Sequence, residues 1–194
     1  MIITNAKFKT SVVNKQGLLN DGVPEFCFVG RSNVGKSSLI NSLVNQKKLV
    51  KTSSTPGHTK MINYFDINDG TFRFVDLPGY GFARTGKSHQ KIWSSLMEIY
   101  LKDNPQLKMI FLLVDIRHTP TELDKQMLKY AFFNGLPVTV IATKSDKVPK
   151  SKIINYVSNI ASNLALGKDN IIAYSAETAY NKDKILNLLE NLTK

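Results

Sequence analysis

Apolar residues in this chain fall into two kinds of block. Short unbroken runs at Phe26 to Val29, Met109 to Val114, Pro137 to Ala142 and Ile171 to Tyr174 are bounded by polar residues. That pattern predicts strands buried on both faces of a parallel sheet. Between the runs, apolar residues recur at helical spacing. Lys36 to Leu43 places Leu39, Ile40 and Leu43 together, and Ile92 to Leu101 reads the same way. Thr119-Pro120-Thr121-Glu122 opens a helix with proline expected in its first turn, closing near Asn134-Gly135. Ser151 to Leu166 is helical and expected to end at Gly167; Tyr180 to Leu192 puts Ile185, Leu188, Leu189 and Leu192 on one face. Met61 to Ile67 and Thr71 to Val75 flank Asn68-Asp69-Gly70 and predict a hairpin, and Lys7 to Val13 suits an edge strand. Asn20 to Pro24 reads as a turn.

Strands alternating with helices imply an α/β domain: a three-layer fold with a mainly parallel sheet, one antiparallel strand, and helices on both faces. Residues 25–194 are expected to form that domain and residues 1–24 a short N-terminal extension. Residues 45–60 and 77–88 carry no periodic pattern, and long loops in a compact domain are usually functional.

Composition then narrows the class. The chain has 194 residues and is 42% hydrophobic, enough for a sizeable core. Its net charge of +11 should draw it to polyanions such as nucleic acid, the ribosome or an anionic membrane face. The single cysteine, Cys27, excludes an intrachain disulfide and sits in an apolar run, where a buried inert thiol is expected. His58, His89 and His118 are scattered, without zinc-site spacing. There is no secretory apolar region, and no run approaches the roughly 20 residues a membrane helix needs. A cytoplasmic protein without stable membrane insertion is the expectation.

Four motifs carry chemistry. Gly30-Arg31-Ser32-Asn33-Val34-Gly35-Lys36-Ser37 matches G-x-x-x-x-G-K-[ST], after a buried strand and before a helix. Such a loop turns backbone N–H groups toward phosphate oxygens, with Lys36 at the β- and γ-phosphates and the Ser37 hydroxyl on magnesium. Asp76-Leu77-Pro78-Gly79 follows an apolar strand. Asp76 can hold magnesium through water, and Gly79 can offer an N–H to the γ-phosphate and move when that phosphate leaves. Thr143-Lys144-Ser145-Asp146 places a carboxylate where it can accept from guanine N1–H and N2–H₂, a pair adenine lacks, with Lys144 across the base plane. After the last short strand, Ser175-Ala176 could present backbone N–H groups to guanine O6. Between the first two motifs, in Ser54-Thr55-Pro56-Gly57-His58-Thr59, one threonine should complete the magnesium shell. Thr55 and Thr59 both qualify by chemistry.

In this order the motifs make the chain resemble a P-loop GTPase of Ras-like fold, similar to the translation-factor class. The segments 28–41, 53–59, 75–81 and 143–147 resemble the EngB family, also called YihA or YsxC. The resemblance spans essentially the whole chain, including the N-terminal extension. It implies a GTP-hydrolysing switch linked to large ribosomal subunit assembly and needed for normal cell division and septation, with precursor subunits or ribosomal RNA as partner. It also implies Mg²⁺ held by Ser37 and Thr59, the Pro-Gly-x-Thr pattern selecting Thr59. Nucleotide contacts would extend over Gly30 to Ser37, Gly57, His58, Thr59, Lys60 and Met61, Asp76 to Gly79, Thr143 to Asp146, and Tyr174, Ser175 and Ala176. Thr143 replaces the asparagine of most GTPases, as is usual in that family.

The catalytic group is open. Where many GTPases place a glutamine to orient the attacking water, this chain has Tyr80. Intrinsic hydrolysis is expected to be slow until a partner or ion completes the site. Gly79 and Asn33 are the contributors to test. Asn33 resembles the asparagine of potassium-activated relatives, which makes K⁺ a second candidate cofactor, and Arg84 is a weaker candidate. Lys47, Lys48, Lys51, His58 and Lys60 fall in or beside the first loop, and Arg84, Lys87, His89 and Lys91 in or after the second. On one face they would make a nucleotide-sensitive surface for RNA. Two alternatives stand beside this: a P-loop metabolic kinase, which the guanine motif opposes, and a regulatory GTPase with a protein or membrane-associated partner and no RNA role. A monomer is expected.

Overall fold

A computed structural model of the chain describes residues 1–50, 61–80, 95–102 and 104–193. Expectations that fall on 51–60, 81–94, 103 and 194 lie outside the described residues, including Thr55, Gly57, His58, Thr59, Lys60 and Arg84. The strands are β1 (Ala6–Val12), β2 (Glu25–Gly30), β3 (Ile62–Ile67), β4 (Phe72–Asp76), β5 (Leu107–Asp115), β6 (Val138–Thr143) and β7 (Ile171–Ala173). They form one sheet in the order β1-β3-β4-β2-β5-β6-β7. The ladders β4-β2-β5-β6-β7 are parallel, whereas β3 is antiparallel to both β1 and β4. So β3 alone runs against the others, as the hairpin predicted. The helices are α1 (Lys36–Leu43), α2 (Ser95–Leu101), α3 (Glu122–Phe133), α4 (Ile153–Leu164) and α5 (Lys182–Thr193).

Strand alternation explains the two cores. Cys27 and Val29 of β2 point to one face, packed with β5 and with α2, α3 and α4. Phe26 and Phe28 point to the other, packed with α1 and α5. On that second face five phenylalanines interlock, with Phe28 against Phe74 edge-on at 5.0 Å and against Phe111 at 5.2 Å between ring centroids. Burial on both faces is why β2 and the centre of β5 read as unbroken apolar runs. The Cys27 thiol is buried, and burial pushes its pKa up, which keeps it inert.

Residues 6–12 add the edge strand. A register shift between Phe8 and Thr10, with exposed Lys7 and Lys9, blunts that edge against further pairing. Thr4 and Asn5 bind the hairpin turn through Asn68 and Asp69 at 2.8–3.1 Å.

Two helix boundaries differ from the sequence reading. Pro120 lies just before the N-cap of α3 rather than in its first turn. Thr121 is the N-cap and forms a reciprocal capping box with Asp124, which satisfies more backbone donors than a proline entry could. Helix α4 closes at Ala165, in the left-handed region at φ 53°, and not at Gly167. Leu166 N–H reaches back to the Ala161 carbonyl at 2.9 Å, while the Leu166 side chain packs on the core. That apolar contact offsets the cost of a left-handed alanine.

Candidate functional site

The order of the strands selects one edge of the sheet. After β2 the chain goes to β3 and β4 on one side, then crosses to β5 on the other, which makes the carboxyl end of β2 a topological switch point. The parallel strands end there at Gly30, Asp76, Asp115, Thr143 and Ala173. The sequence motifs are the loops that follow four of these ends.

The first loop joins β2 to α1. Asn33 and Gly35 have φ of 63° and 106°, and Gly35 is the N-cap of α1 with no side chain to cap it. A left-handed N-cap favours glycine and leaves the first N–H groups of α1 to meet an anion. Lys36, beyond it, forms an ion pair with Asp76 at the end of β4; both side chains are largely buried. The first two motifs are therefore in contact. Gly79 lies against Ser32, where an added Cβ would stand 3.2 Å from Ser32 Oγ and 3.3 Å from its backbone nitrogen. Val34, Leu77 and Pro78 are buried, so only their backbone can face a ligand.

The base motif reaches the same loop. Thr143 Oγ1 lies 2.6 Å from the Val34 carbonyl and 3.1 Å from the Val114 carbonyl, tying β6 to the phosphate loop and to β5. Lys144, at φ 61°, donates from Nζ to the Asn33 carbonyl at 2.9 Å and pairs with Asp115 at 3.0 Å. Asp146 Oδ1 accepts from Ser175 Oγ at 2.7 Å, which joins the third and fourth motifs. Burial pushes the Asp146 pKa up, but the Ser175 hydroxyl and Lys147 outweigh it and hold the carboxylate below its usual range. Ser145 N–H donates to the Tyr174 carbonyl at 3.0 Å. The Tyr174 hydroxyl turns away to Ser42 on α1, at 2.8 Å, and Ser42 Oγ donates to the Ala176 carbonyl at 3.3 Å. Met61 is exposed just before β3.

Sequence reasoning missed Asp115. It pairs with both Lys144 and Arg117, whose hydrogen bonds outweigh burial and hold its carboxyl well below the usual range. Its signal was an acidic residue closing an apolar strand, the same position as Asp76. Asp115, Arg117, His118, Arg31, Asn33 and Lys144 line a cleft of about 230 Å³ beside the phosphate loop.

A magnesium ion fits the donor set. Ser37 in the first turn of α1 and the buried Asp76 carboxylate are hard oxygen donors, and magnesium is usually held by one or two protein oxygens with phosphate and water. Among the described residues no helix is long and apolar enough to cross a membrane.

A mainly parallel three-layer sheet with these motifs converging on the carboxyl end of β2 is the architecture of a P-loop GTPase. Residues 25–144 match the family described as 50S ribosome-binding GTPase. The chain is 47% identical to the probable GTP-binding protein EngB of Desulforamulus reducens, over 98% of this chain and 93% of that one. It is 42% identical to the probable GTP-binding protein EngB of Bacillus subtilis, over 95% of this chain and 94% of that one. A crystal structure of a probable GTP-binding protein EngB superposes with a TM-score of 0.66, covering 87% of this chain and 98% of that one at 21% identity, a likeness of fold. The chain belongs to the EngB family of GTP-binding proteins, and it binds and hydrolyses GTP.

Proposed function

We propose that this GTPase is a switch in assembly of the large ribosomal subunit, and that loss of it disturbs cell division and septation. The observation that carries the nucleotide part is the convergence of four sequence-distant motifs through Lys36–Asp76, Lys144–Asn33 and Asp146–Ser175. In this reading residues 25–194 form the nucleotide unit, with residues 1–24 an extension whose strand enters the same sheet. Gly30 to Ser37 hold the phosphates, and Lys36 exchanges Asp76 for the β- and γ-phosphates. Ser37, with Asp76 through water and Thr59, holds Mg²⁺, which would neutralise charge developing on the β- and γ-oxygens. Gly57 to Met61 and Asp76 to Gly79 sense the γ-phosphate. Asp146 reads guanine, Lys144 covers its plane, and Tyr174 to Ala176 approach O6 through the backbone. Tyr80 does not replace the glutamine, because its hydroxyl binds Asp124. Slow intrinsic turnover follows, with Asn33 as the group through which K⁺ would act; equal rates in potassium and sodium would exclude that role.

The ribosomal part is supported by the description of the matching family and by the net charge of +11. A cytoplasmic monomer fits such a partner. Co-sedimentation with large-subunit particles, in a non-hydrolysable GTP analogue and in GDP, tests it. Pelleting in one nucleotide state, weakened by salt, supports the switch. No pelleting in either state overturns the ribosomal part and leaves a regulatory GTPase with a protein or membrane-associated partner.

A further inference from the structure

Tyr80 occupies a place that the motif alone does not reveal. Its side chain is buried, and its hydroxyl donates to Asp124 Oδ1 at 2.6 Å. Asp124 is also buried, and its other oxygen accepts from the backbone N–H and the hydroxyl of Thr121, each at 2.7 Å. Burial, then the Asp124 charge, pushes the phenol pKa well up, so the neutral hydroxyl is the donor. Through its backbone Tyr80 donates to the Gly30 carbonyl and accepts from Ser32 N–H, both at 3.3 Å. One residue therefore ties the phosphate loop to the start of α3, with Gly79 held beside Ser32.

We propose that Tyr80 and Asp124 are a positioning pair for GTP hydrolysis. They fix Gly79 where its N–H meets the γ-phosphate, and they pass any shift of Gly79 to the first turn of α3. The proposal rests on the reading of Gly79 given above. A buried ring in a close-packed interior cannot slide alone. A phenol–carboxylate hydrogen bond is charge-assisted, and breaking it deprives a buried carboxylate of a donor. A displacement of Gly79 must then carry Asp124 and the Thr121 cap with it or break the bond. Arg117 and His118 are exposed in the segment leading to that cap, so the nucleotide state reaches the surface there.

The test uses the full chain with Tyr80→Phe, which keeps the ring, and with Gly79→Ala. Arg73→Leu serves as a control that destabilises the opposite end of the sheet. Affinities for a non-hydrolysable GTP analogue and for GDP, kcat and KM, and amide exchange at residues 121–125 are measured. In Tyr80→Phe, GDP affinity should hold while analogue affinity falls about fivefold or more. Its kcat should fall by a larger factor than KM changes, and the nucleotide-dependent difference in exchange at 121–125 should vanish. Arg73→Leu should leave the analogue-to-GDP ratio alone. An unchanged ratio and kcat in Tyr80→Phe, with both shifted in Gly79→Ala, would overturn the positioning pair by itself. An unchanged ratio in Gly79→Ala overturns the γ-phosphate reading of Gly79, and the pair with it. Equal losses for both nucleotides in Tyr80→Phe, matching Arg73→Leu, would reduce Tyr80 to a packing residue and also overturn it.

Discussion

Both ends of the sheet bury charge, but they do so differently. At the carboxyl end of β2, Lys36 faces Asp76, joining two motifs, and Lys144 faces Asp115 at the end of β5. At the opposite end, Arg73 is 3% exposed and is held by Asp21 through two hydrogen bonds of 2.6 and 2.7 Å and by Asp66 at 2.7 Å. Beside it Glu25, fully buried, accepts from Gln106 at 2.9 Å and from Asn104 at 3.1 Å. The far network is closed, with each charged group facing a fixed partner within the fold. The near pairs sit at strand ends and at the start of α1, where the proposed nucleotide would take over a partner. A buried charge marks function when its partner can be exchanged and stability when it cannot.

The strongest way to break this comparison is Lys36→Ala. It should lower kcat/KM for GTP by about 10²- to 10³-fold with the fold retained, read by steady-state hydrolysis and thermal melting. Arg73→Leu should do the converse. It should cost about 3 kcal/mol in urea unfolding, toward the low end for a broken buried pair because Asp21 is partly exposed, and it should leave nucleotide affinity unchanged. The same contrast has a pH form. Asp21 is held down by its Arg73 hydrogen bonds; at Asp66 burial pushes upward but the bonds from Arg73 and Lys9 outweigh it. With folded values below the unfolded value of about 3.9, their stabilisation is full above that value. It is lost as pH falls through the folded values, so Arg73→Leu should flatten the acid limb of a stability-against-pH curve. Burial raises Glu25 instead, so its share runs the other way, full at low pH and lost as pH rises through its folded value.

Asp146→Asn sharpens the near end. It should weaken GTP about 10²-fold and shrink the preference for GTP over ITP, which lacks the 2-amino group, in direct binding measurements. Tyr174→Phe should have the smallest effect, about 1 kcal/mol of stability from the lost Ser42 hydrogen bond, seen as a small drop in melting temperature.

Much of this was legible along the chain. The bounds of α1, the hairpin, and the buried strands β2, β5 and β6 follow from local periodicity, because each is patterned over its own length. Local pattern failed at helix ends. At Thr121 a side chain three residues on completes the cap, and at Ala165 packing of Leu166 outweighs the preference for glycine. The residue types of Thr143 to Asp146 suit a contact to guanine, but Thr143 also binds Val34, 109 residues earlier. No local signal announces such a contact.

What the sequence determined by itself is the family and its motifs: Gly30 to Ser37, the acid Asp76 closing β4, and Thr143 to Asp146, each short and defined by its residue types and their order. What only the tertiary structure decided is which groups face one another. Lys36 on Asp76, Asp115 on Lys144 and Tyr80 on Asp124 are pairings across 40, 29 and 44 residues of chain. They are set by the parallel register that brings the strand ends together at one edge. Sheet register is a property of all the strands packed at once, and no single segment contains it.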